Sequence, residues 1–306
     1  MDLMHSPVAI FIYNRPEKVA SLLESIRANK DFREFSYYVF SDGPKNKEDF
    51  KKIKKCRHLA NDFFKKLKCE FHFSKENKGL SYSIINGVTH VLKTNQSVIV
   101  LEDDLVLHQH FFSYLNHFLN KFSTNSSVYS INGHMYLNDE LLAENNSFFL
   151  PCISSWGWGT WAKNWHNFLE FKKDENNLRL NKEENFEFDL NNSYPFSKIL
   201  KKTISKKIDS WAILWYLFVF KNRGLNLFPP FTLILNKGFD GSGSNTSIEL
   251  SQKFNLNYSR ILEPKSVKID NQKLSIYRDL ISKNLNPPII KKIMFKILNK
   301  IKLVLK

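Results

Sequence analysis

The segment from Val98 to Leu107, VIVLEDDLVL, places three consecutive carboxylates inside an otherwise apolar run. A short run of β-branched and aliphatic residues is typical of a central strand buried on both faces of a parallel sheet. Such a strand does not tolerate a carboxylate, so Glu102, Asp103 and Asp104 are expected where the strand leaves the sheet. Their mutual repulsion requires a cation or several hydrogen-bond donors. Ligands bind at this end of strands in open α/β sheets, so the triplet predicts a site, with a solvated acidic turn as the alternative.

Strands and helices alternate from the N-terminus to about residue 125. We expect strands at 8–13, 37–41 and 70–74 and from Val98, and helices at 16–27, 47–67, 81–92 and about 109–122. This alternation predicts a doubly wound, mainly parallel sheet. Beyond it the pattern weakens, and the polar stretch 172–192 is expected to be an excursion or a flexible loop. The apolar run 211–220 is about half the roughly 20 residues that span a membrane, so we expect a core helix.

The composition favours a folded protein over a disordered one. Hydrophobic residues make up 42% of the 306 residues and include 27 Phe and 11 Tyr, which permits a substantial core. Cys56, Cys69 and Cys152 lack metal-ligand or redox spacing, so we expect buried thiols in a reducing compartment. The N-terminus has no basic leader before a long apolar region, and a signal peptide is not predicted.

The net charge of +15 raises nucleic acid or an anionic membrane as partners. The segment Ile289 to Lys306 carries six lysines and no acidic residue, and it follows Pro287-Pro288. At about 100° per residue eight of its apolar side chains share one helix face and its lysines lie on the other. The eight are Ile290, Ile293, Met294, Ile297, Leu298, Ile301, Val304 and Leu305. This pattern predicts a helix on an anionic membrane surface, each lysine adding about 1 kcal/mol. Docking on its own domain or on a second subunit is the alternative.

Three clusters in the second half have both a structural and a functional interpretation. Trp156, Gly157 and Trp158 could fill a core, but tryptophans separated by glycine also suit a loop wall that packs against a sugar ring. Asp209 opens an apolar helix, where a carboxylate is usually a cap, although burial beside tryptophan would strengthen it as a proton acceptor. The glycine-rich loop 236–245 is either a turn or a flap over phosphates.

The order of short motifs along the chain resembles a known enzyme family. The motifs, in chain order, are YNRP, SDG, ENKGLSYSIINGV, VLEDDLV, HFFSYLNHFL, SSWGWGTW, IDSW and NKGFDGSGS. Together they resemble a bacterial glycosyltransferase family with the GT-A fold, typically encoded among capsule and lipopolysaccharide biosynthesis enzymes. That family is similar in turn to the eukaryotic N-acetylglucosaminyltransferase I family, which carries the same EDD triplet. The resemblance spans about residues 6 to 245.

The resemblance implies a role for each carboxylate of the triplet. Asp104, the last carboxylate, is implied to bind a divalent cation, Mn²⁺ or Mg²⁺, that bridges the diphosphate of a nucleotide-sugar donor. A hard cation with oxygen ligands fits both the diphosphate and the triplet. Asp103 is implied to face the ribose and Glu102 the donor sugar. The loop with Trp156, Gly157 and Trp158 remains a candidate for substrate binding.

The resemblance also implies how the nucleotide is held. Tyr13, Asn14 and Arg15 lie at the mouth of the first strand, where relatives hold the nucleotide. Asp42 matches the residue that hydrogen-bonds uracil. Lys78 is a candidate diphosphate contact, and an exposed loop lysine is the alternative.

Asp209 of IDSW matches the general base of the eukaryotic relatives. The residues before the base are acidic and aromatic in those relatives, whereas here they are Lys207 and Ile208. The departure bears on the polarity around the carboxylate. In this role Asp209 would deprotonate an acceptor hydroxyl that attacks the anomeric carbon, and the configuration would invert.

The prediction is therefore a metal-dependent, inverting hexosyl- or N-acetylhexosaminyltransferase. The donor is expected to be a nucleoside diphosphate sugar, with UDP as the nucleotide, and the acceptor a surface glycan or a lipid-linked glycan. We expect a GT-A domain at 1–285, with a nucleotide-sugar half at 1–125 and an acceptor half at 126–285, followed by the basic amphipathic helix at 286–306. The expected location is the inner face of the bacterial cytoplasmic membrane, bound peripherally from the cytoplasm.

Other classes of protein remain open at this point. A basic nucleic-acid-binding protein predicts lysines interleaved with exposed aromatics over a groove, and the concentration of lysines at 289–306 argues against it. A catalytically silent sugar-binding protein would have no chemical reason to retain Asp104 and Asp209. A nucleotidyltransferase should carry a glycine-rich loop after the first strand, and YNRP has no glycine.

Overall fold

The computed structural model describes residues 4–136, 146–238, 254 and 263–285. The strands are β1 (Val8–Ile12), β2 (Tyr37–Ser41), β3 (Cys69–Phe73), β4 (Ser97–Glu102), β5 (Leu105–Leu107), β6 (Val128–Asn132), β7 (Phe148–Leu150), β8 (Trp158–Trp161), β9 (Leu225–Phe228) and β10 (Ile234–Asn236). The α-helices are α1 (Pro16–Arg27), α2 (Lys47–Phe64), α3 (Leu80–Val91), α4 (Phe111–Lys121), α5 (Ala162–Phe171), α6 (Lys182–Phe188), α7 (Phe196–Ile204), α8 (Trp211–Lys221) and α9 (Asn271–Leu285).

One eight-stranded sheet forms the centre of the molecule, in the order β3-β2-β1-β4-β8-β6-β9-β7. The first four strands are parallel, and Ile10 of β1 lies opposite Val39 of β2 and Leu101 of β4. Beyond β4, strand β8 is antiparallel to both of its neighbours, β6 and β9 are parallel, and β7 runs against β9. Most strands therefore point the same way, and the predicted mainly parallel α/β sheet is confirmed.

Helices cover both faces of the sheet, as the doubly wound prediction requires. Val8, Ile10 and Ile12 of β1 pack into a core that also contains apolar residues of α1, α2 and α4. Ala9 and Phe11 alternate to the other face, where they pack with residues of α3, α5 and α8. Alternate residues of a strand point to opposite faces, so an uninterrupted apolar strand such as β1 needs this double cover.

The second half of the chain contains the predicted core helix and a helix that the sequence did not predict. Helix α8 begins at Trp211 and is apolar on nearly every face, and most of its residues are buried, so the predicted core helix is confirmed. The expectation of a flexible excursion at 172–192 is wrong in part, because α6 lies within it. Asn181 and Glu184 form a capping box at its start, and Phe188 at its end is fully buried.

A second, two-stranded sheet pairs β5 with β10 in antiparallel register, with Asn236 opposite Leu105. The pair brings a segment from late in the sequence next to the acidic triplet. Cys56, Cys69 and Cys152 are free thiols. Cys56 and Cys152 are buried as predicted, whereas Cys69 is only partly buried, and burial raises the pKa of each to about 12. No helix in the described part of the chain has both the length and the apolar character needed to cross a bilayer. The predicted amphipathic helix at 286–306 lies outside the described residues.

Candidate functional site

The polar segments that follow β1, β2 and β4 meet at one edge of the sheet. Phe11 lies opposite both Phe40 and Glu102, so the three strands end at nearly the same level. Residues 13–15 follow β1, Asp42 follows β2, and Asp103 and Asp104 follow β4. The carboxyl ends of parallel strands face the same way, which is why motifs far apart in the sequence come together here.

Arg15 is the counter-ion of the acidic triplet in this structure. Its guanidinium group donates to Oδ1 of Asp103 and, through Nη1, to Oδ2 of Asp104 at 3.0 Å. The backbone N–H of Tyr13 donates to the other oxygen of Asp103 at 2.9 Å. Asp103 is only 2% exposed and both of its oxygens are engaged. It therefore anchors the chain after β1, and the predicted contact between Asp103 and a ribose does not fit this position.

The triplet remains electrostatically strained even with Arg15 present. Burial, and then the negative charges of Asp104 and Asp103, raise the pKa of Glu102 to about 8, against the opposing charge of Arg15. Burial also raises the pKa of Asp103, although the charge of Arg15 opposes it. One guanidinium group thus faces three carboxyl groups, and additional positive charge at this position would be stabilising.

Asp49, which no motif in the sequence predicts as a site residue, holds the segment after β1. Its carboxylate accepts from the hydroxyl of Tyr13 at 3.0 Å, from Nδ2 of Asn14 at 2.6 Å and from the backbone N–H of Lys45 at 3.3 Å. Burial alone would raise the pKa of Asp49, but the hydrogen bonds from Asn14 and Tyr13 outweigh it, and the pKa is lowered. The signal in the sequence was Asn46, whose side chain accepts from the N–H of Asp49 and so begins α2.

Asp42 binds backbone rather than presenting its carboxylate to solvent. Oδ1 accepts from the N–H groups of Gly43 and Lys78, and Oδ2 accepts from those of Lys78 and Gly79, all at 2.9–3.0 Å. The carboxylate thereby fixes the segment between β3 and α3. These contacts use the acceptor positions that the predicted hydrogen bond to uracil would need. The side chain of Lys78 is exposed, with Nζ 5.2 Å from the ring centroid of Tyr82.

Asp209 lies next to this segment, immediately before α8. A Cβ atom built on Gly79, whose φ is +88°, would lie 3.6 Å from Oδ2 of Asp209. Asp209 is exposed, so the burial that would have made it a desolvated base is not found. The residue at the N-cap position of α8 is Ser210. Asp209 is therefore available to a bound molecule on the side of the site that carries Lys78.

The two tryptophans predicted to form a loop wall have different surroundings. Trp158 lies on β8, is 1% exposed and stacks on Trp211 at 5.1 Å between ring centroids, so its predicted place in a loop wall is wrong. Trp156 is partly exposed and packs against His134, with 4.4 Å between the ring centroids. Between them Gly157 has a φ of +62°, and a Cβ there would lie 2.6 Å from Cδ1 of Ile234. Close packing against β10 thus explains this glycine.

The first residues of the predicted glycine-rich flap lie directly on Asp104. The backbone N–H of Lys237 donates to the carbonyl oxygen of Asp104 at 2.8 Å, and Lys18 of α1 donates to the carbonyl oxygen of Lys237 at 2.7 Å. A Cβ built on Gly238 would lie 2.4 Å from Oδ2 of Asp104 and 2.9 Å from Oδ1 of Asn236. Only glycine fits so close to this carboxylate. Residues 239–245 of the predicted flap lie outside the described residues.

The donor set of this edge fits a hard divalent cation. Asp104 supplies carboxylate oxygens, which Mg²⁺ and Mn²⁺ prefer. The side-chain carbonyl of Asn236 lies beside it and already accepts from the N–H of Gly238 at 2.6 Å. Burial and the neighbouring carboxylates raise the pKa of Glu102, so positive charge here would be stabilising. Gly238 leaves space beside Asp104 that a Cβ would fill. Asp104 is thus the residue that would hold the ion, with Arg15 sharing its charge.

No protein-family model and no curated protein sequence matches the chain. Solved structures with similar parts include the mannosyltransferase PcManGT from Pyrobaculum calidifontis in complex with GDP-Man and Mn²⁺, at 13% identity and TM-score 0.38, covering 55% of this chain and 48% of that one. Another is glucosyl-3-phosphoglycerate synthase from Mycobacterium tuberculosis with Mn²⁺, UDP and glucosyl-3-phosphoglycerate, at 12% identity and TM-score 0.32, covering 52% and 57%. TarS 1–349 of S. aureus is 12% identical at TM-score 0.36, covering 71% of each chain. The matches span less than two thirds of the first two structures.

Proposed function

We propose that this protein is a metal-dependent, inverting glycosyltransferase of the GT-A fold that uses a nucleoside diphosphate sugar. The observation that carries the proposal is the meeting of Glu102, Asp104, Arg15 and Gly238 at the carboxyl edge of the sheet. This edge combines oxygen ligands for a cation, a cationic side chain and a backbone segment that approaches closely. A diphosphate with its divalent cation has the charge and the ligand chemistry that such a set of groups accommodates.

The described residues suggest how the donor would be oriented. Arg15 can pair with phosphate oxygens as it now pairs with carboxylates, because its planar guanidinium group suits either. Tyr13 and Asn14, held by Asp49, form the rim of the site next to β2 and are proposed to contact the nucleotide. Lys78 is proposed to reach the diphosphate from the segment that Asp42 fixes. Glu102 is proposed to face the donor sugar. Among common sugar nucleotides we expect UDP.

The chemistry assigned to this chain is a single displacement at the anomeric carbon. Asp209 accepts the proton of an acceptor hydroxyl, whose oxygen forms a bond to the anomeric carbon from the face opposite the diphosphate. The bond between the anomeric carbon and the diphosphate oxygen breaks at the same time, and the nucleoside diphosphate leaves with the electron pair. A divalent cation bound at Asp104 would stabilise the negative charge of that leaving group. Attack from the opposite face inverts the configuration.

The acceptor is proposed to be a surface glycan or a lipid-linked glycan. Trp156 lies beside the segment that packs on β10, and its exposed part offers an aromatic face to a sugar ring. The basic pattern at 289–306 supports binding at an anionic membrane surface, where lipid-linked acceptors are found. The cytoplasmic face of the bacterial membrane is therefore the proposed place of action.

The test is release of nucleoside diphosphate from UDP-, GDP- and dTDP-sugars by the purified chain, with Mn²⁺ or with a chelator. We expect turnover of one donor that requires the metal and falls by about 10²-fold or more in Asp104→Asn, because a group stabilising the leaving charge is lost. Asp62→Asn, a change of an exposed carboxylate on α2, is the matched control and should retain full activity. Proton NMR of the first product should show inverted anomeric configuration.

The same experiment separates the competing classes of protein. Saturable donor binding without turnover in any acceptor mixture would favour a silent sugar-binding protein. Absence of both turnover and donor binding across the panel would contradict the transferase and return a nucleic-acid-binding role to consideration. Asp209→Asn should retain donor binding and lose transfer to an acceptor. If transfer persists in that variant, a different group is the base.

A further inference from the structure

A second group of ligand-type side chains lies three strands away from the acidic triplet, at the edge of the sheet. Glu70 and His72 are alternate residues of the edge strand β3, so they share one face, and His90 lies in the last turn of α3, which covers that face. His72 is in the same row of the sheet as Glu102, with Phe40 and Phe11 between them. At about 4.8 Å per strand the two groups are roughly 14 Å apart.

The three side chains converge on one point. Oε2 of Glu70 lies 3.6 Å from Nε2 of His72 and 4.0 Å from Nε2 of His90, and the three ligand atoms all lie within 4.8 Å of one another. The rings of His72 and His90 are held at 4.4 Å between centroids. His72 also stacks on Phe40 at 4.8 Å, which fixes the direction of its ring. The two imidazoles therefore keep this arrangement through packing.

One of these ligand atoms has no hydrogen-bond partner. Nε2 of His72 is shielded from solvent, and no described residue lies within hydrogen-bonding distance of it. Its neighbour is Oε2 of Glu70, which lies at 3.6 Å, within ion-pair distance but beyond a normal hydrogen bond. Buried polar atoms are nearly always satisfied in folded proteins, so a shielded ring nitrogen without a hydrogen bond, facing a carboxylate and a second imidazole, indicates a place for a cation. An ion between the three groups would satisfy this nitrogen.

We propose that Glu70, His72 and His90 form a zinc-binding site. Two imidazole nitrogens and one carboxylate are a common ligand set for Zn²⁺, with bonds of about 2.0–2.2 Å. Ligands at the corners of a tetrahedron with such bonds are about 3.4 Å apart. The carboxylate oxygen lies 3.6 Å and 4.0 Å from the two nitrogens and all three atoms lie within 4.8 Å, so side-chain rotations that move them by about 1 Å would bring them to this spacing. Water would complete the coordination. The acidic triplet offers only oxygen and suits Mn²⁺ or Mg²⁺, so the two sites differ in metal preference.

The site would join two elements that flank the segment bound by Asp42. Strand β3 ends at Phe73, α3 begins at Leu80, and the backbone N–H groups of Lys78 and Gly79 lie between them. Zinc would tie the strand to the far end of α3 and so restrain the segment from both sides. The role assigned to the metal is structural. It does not depend on the proposed transferase activity.

The first test is Co²⁺ binding by the full chain after treatment with a chelator, followed by visible absorption. Co²⁺ held by two imidazoles at low coordination number absorbs strongly, whereas Co²⁺ bound by oxygen ligands in octahedral geometry absorbs weakly. We expect a strong band that Zn²⁺ displaces, and at least about tenfold weaker binding in His72→Ala and His90→Ala. His58→Ala removes a histidine that is 3.1 Å from Asp62 on α2, and it should leave the band unchanged. Asp104→Asn should also retain the band.

The results of this experiment test the zinc site independently of the proposed transferase activity. A strong band that disappears in His90→Ala supports it, and because His90 lies at a half-exposed helix end, this variant should fold even if His72→Ala does not. Absence of the band, or a band that survives in both folded variants, contradicts it. In hydrogen exchange, Zn²⁺ should slow the amides of β3 and residues 74–79 in the original chain and not in His90→Ala. Equal protection in both would overturn the structural role.

Discussion

At the scale of single residues, Arg15 holds the triplet by pairing with two carboxylates, one of them buried. Its side chain is 22% exposed, whereas that of Asp103 is 3% exposed. Removing one partner of a buried pair leaves a charge without compensation, which typically destabilises by about 3–5 kcal/mol. The pair therefore contributes little net free energy of its own, but its loss would leave the buried charge of Asp103 without compensation.

We expect Arg15→Met to destabilise the protein by about 3 kcal/mol and to make its stability depend on Mn²⁺. Because a cation at Asp104 replaces the lost positive charge, Mn²⁺ should raise the midpoint of urea unfolding more in this variant than in the original protein. Arg33→Met, an exposed change, is the control. Equal effects of Mn²⁺ on both variants would show that the ion does not bind at the triplet.

Gly238→Ala should weaken Mn²⁺ binding by about 10-fold or more, because its Cβ would displace Asp104 or the segment that supports it. Titration followed by electron paramagnetic resonance of free Mn²⁺ measures this change. Gly224→Ala is matched in severity, since its Cβ would lie 2.5 Å from Cδ2 of Tyr129. That variant should lose stability and keep its affinity for Mn²⁺. Loss of affinity for Mn²⁺ in both variants would show that the effect comes from general destabilisation and not from Asp104.

Asp49 gives a prediction about pH. Its pKa is lowered in the folded state from an unfolded value of about 3.9, so its carboxylate binds fewer protons when folded and stabilises the protein above that value. The contribution is lost as the pH falls through the folded pKa. The melting temperature of Asp49→Asn should therefore lie below that of the original protein at pH 7, and the difference should shrink below about pH 4. A constant difference from pH 7 to pH 3 would contradict this assignment.

At the scale of elements, the boundaries in the first half follow the sequence closely. Helix α1 occupies the predicted residues 16–27 and β2 the predicted 37–41, because Pro16 and the apolar alternation mark their ends. The predicted helix at 47–67 ends earlier, at Phe64. Hydrophobic periodicity is a local signal, so it predicts the ends of elements whose boundaries are set by nearby residues.

The positions of residues in the second half are set by tertiary contacts, which a local sequence pattern does not reveal. Trp156 and Trp158 belong to the same motif, yet Trp156 is partly exposed and Trp158 is buried, since β8 inserts between β4 and β6. The candidate site was likewise predictable only in part. Its carboxylates were predictable because they end an apolar strand, whereas the pairing of Arg15 with the triplet and the support from Asp49 depend on tertiary contacts.

The stack of Trp158 on Trp211 joins β8 to the first turn of α8, next to Asp209. Trp158→Ala should destabilise the protein by about 3–5 kcal/mol in urea unfolding, as expected for removal of a fully buried aromatic side chain. Trp156→Ala, the matched change of a partly exposed tryptophan, should lose less stability and reduce use of the acceptor. The reverse order of stabilities would contradict the buried position of Trp158.

At the scale of the whole molecule, one sheet runs through both predicted halves, and β4 of the first half pairs with β8 of the second. A fragment of residues 1–125 would leave the apolar strand β4 as an edge, without the cover of α5 and α8. We expect this fragment to lack cooperative unfolding and to be cleaved rapidly by protease. Mixing it with residues 126–285 should restore protection. Cooperative unfolding of the isolated fragment would show that the first half is an independent domain.

The pairing of β5 with β10 also has a consequence for synthesis on the ribosome. Asp104 is translated more than 130 residues before Gly238, the residue that closes over it. During that interval the nascent chain carries β5 without its partner and an acidic cluster without the segment that covers it. The carboxylates are thus complete as a binding site only late in translation. A nascent chain that stalls before residue 234 would present an open strand edge and a cluster of like charges to the factors that survey unfinished proteins.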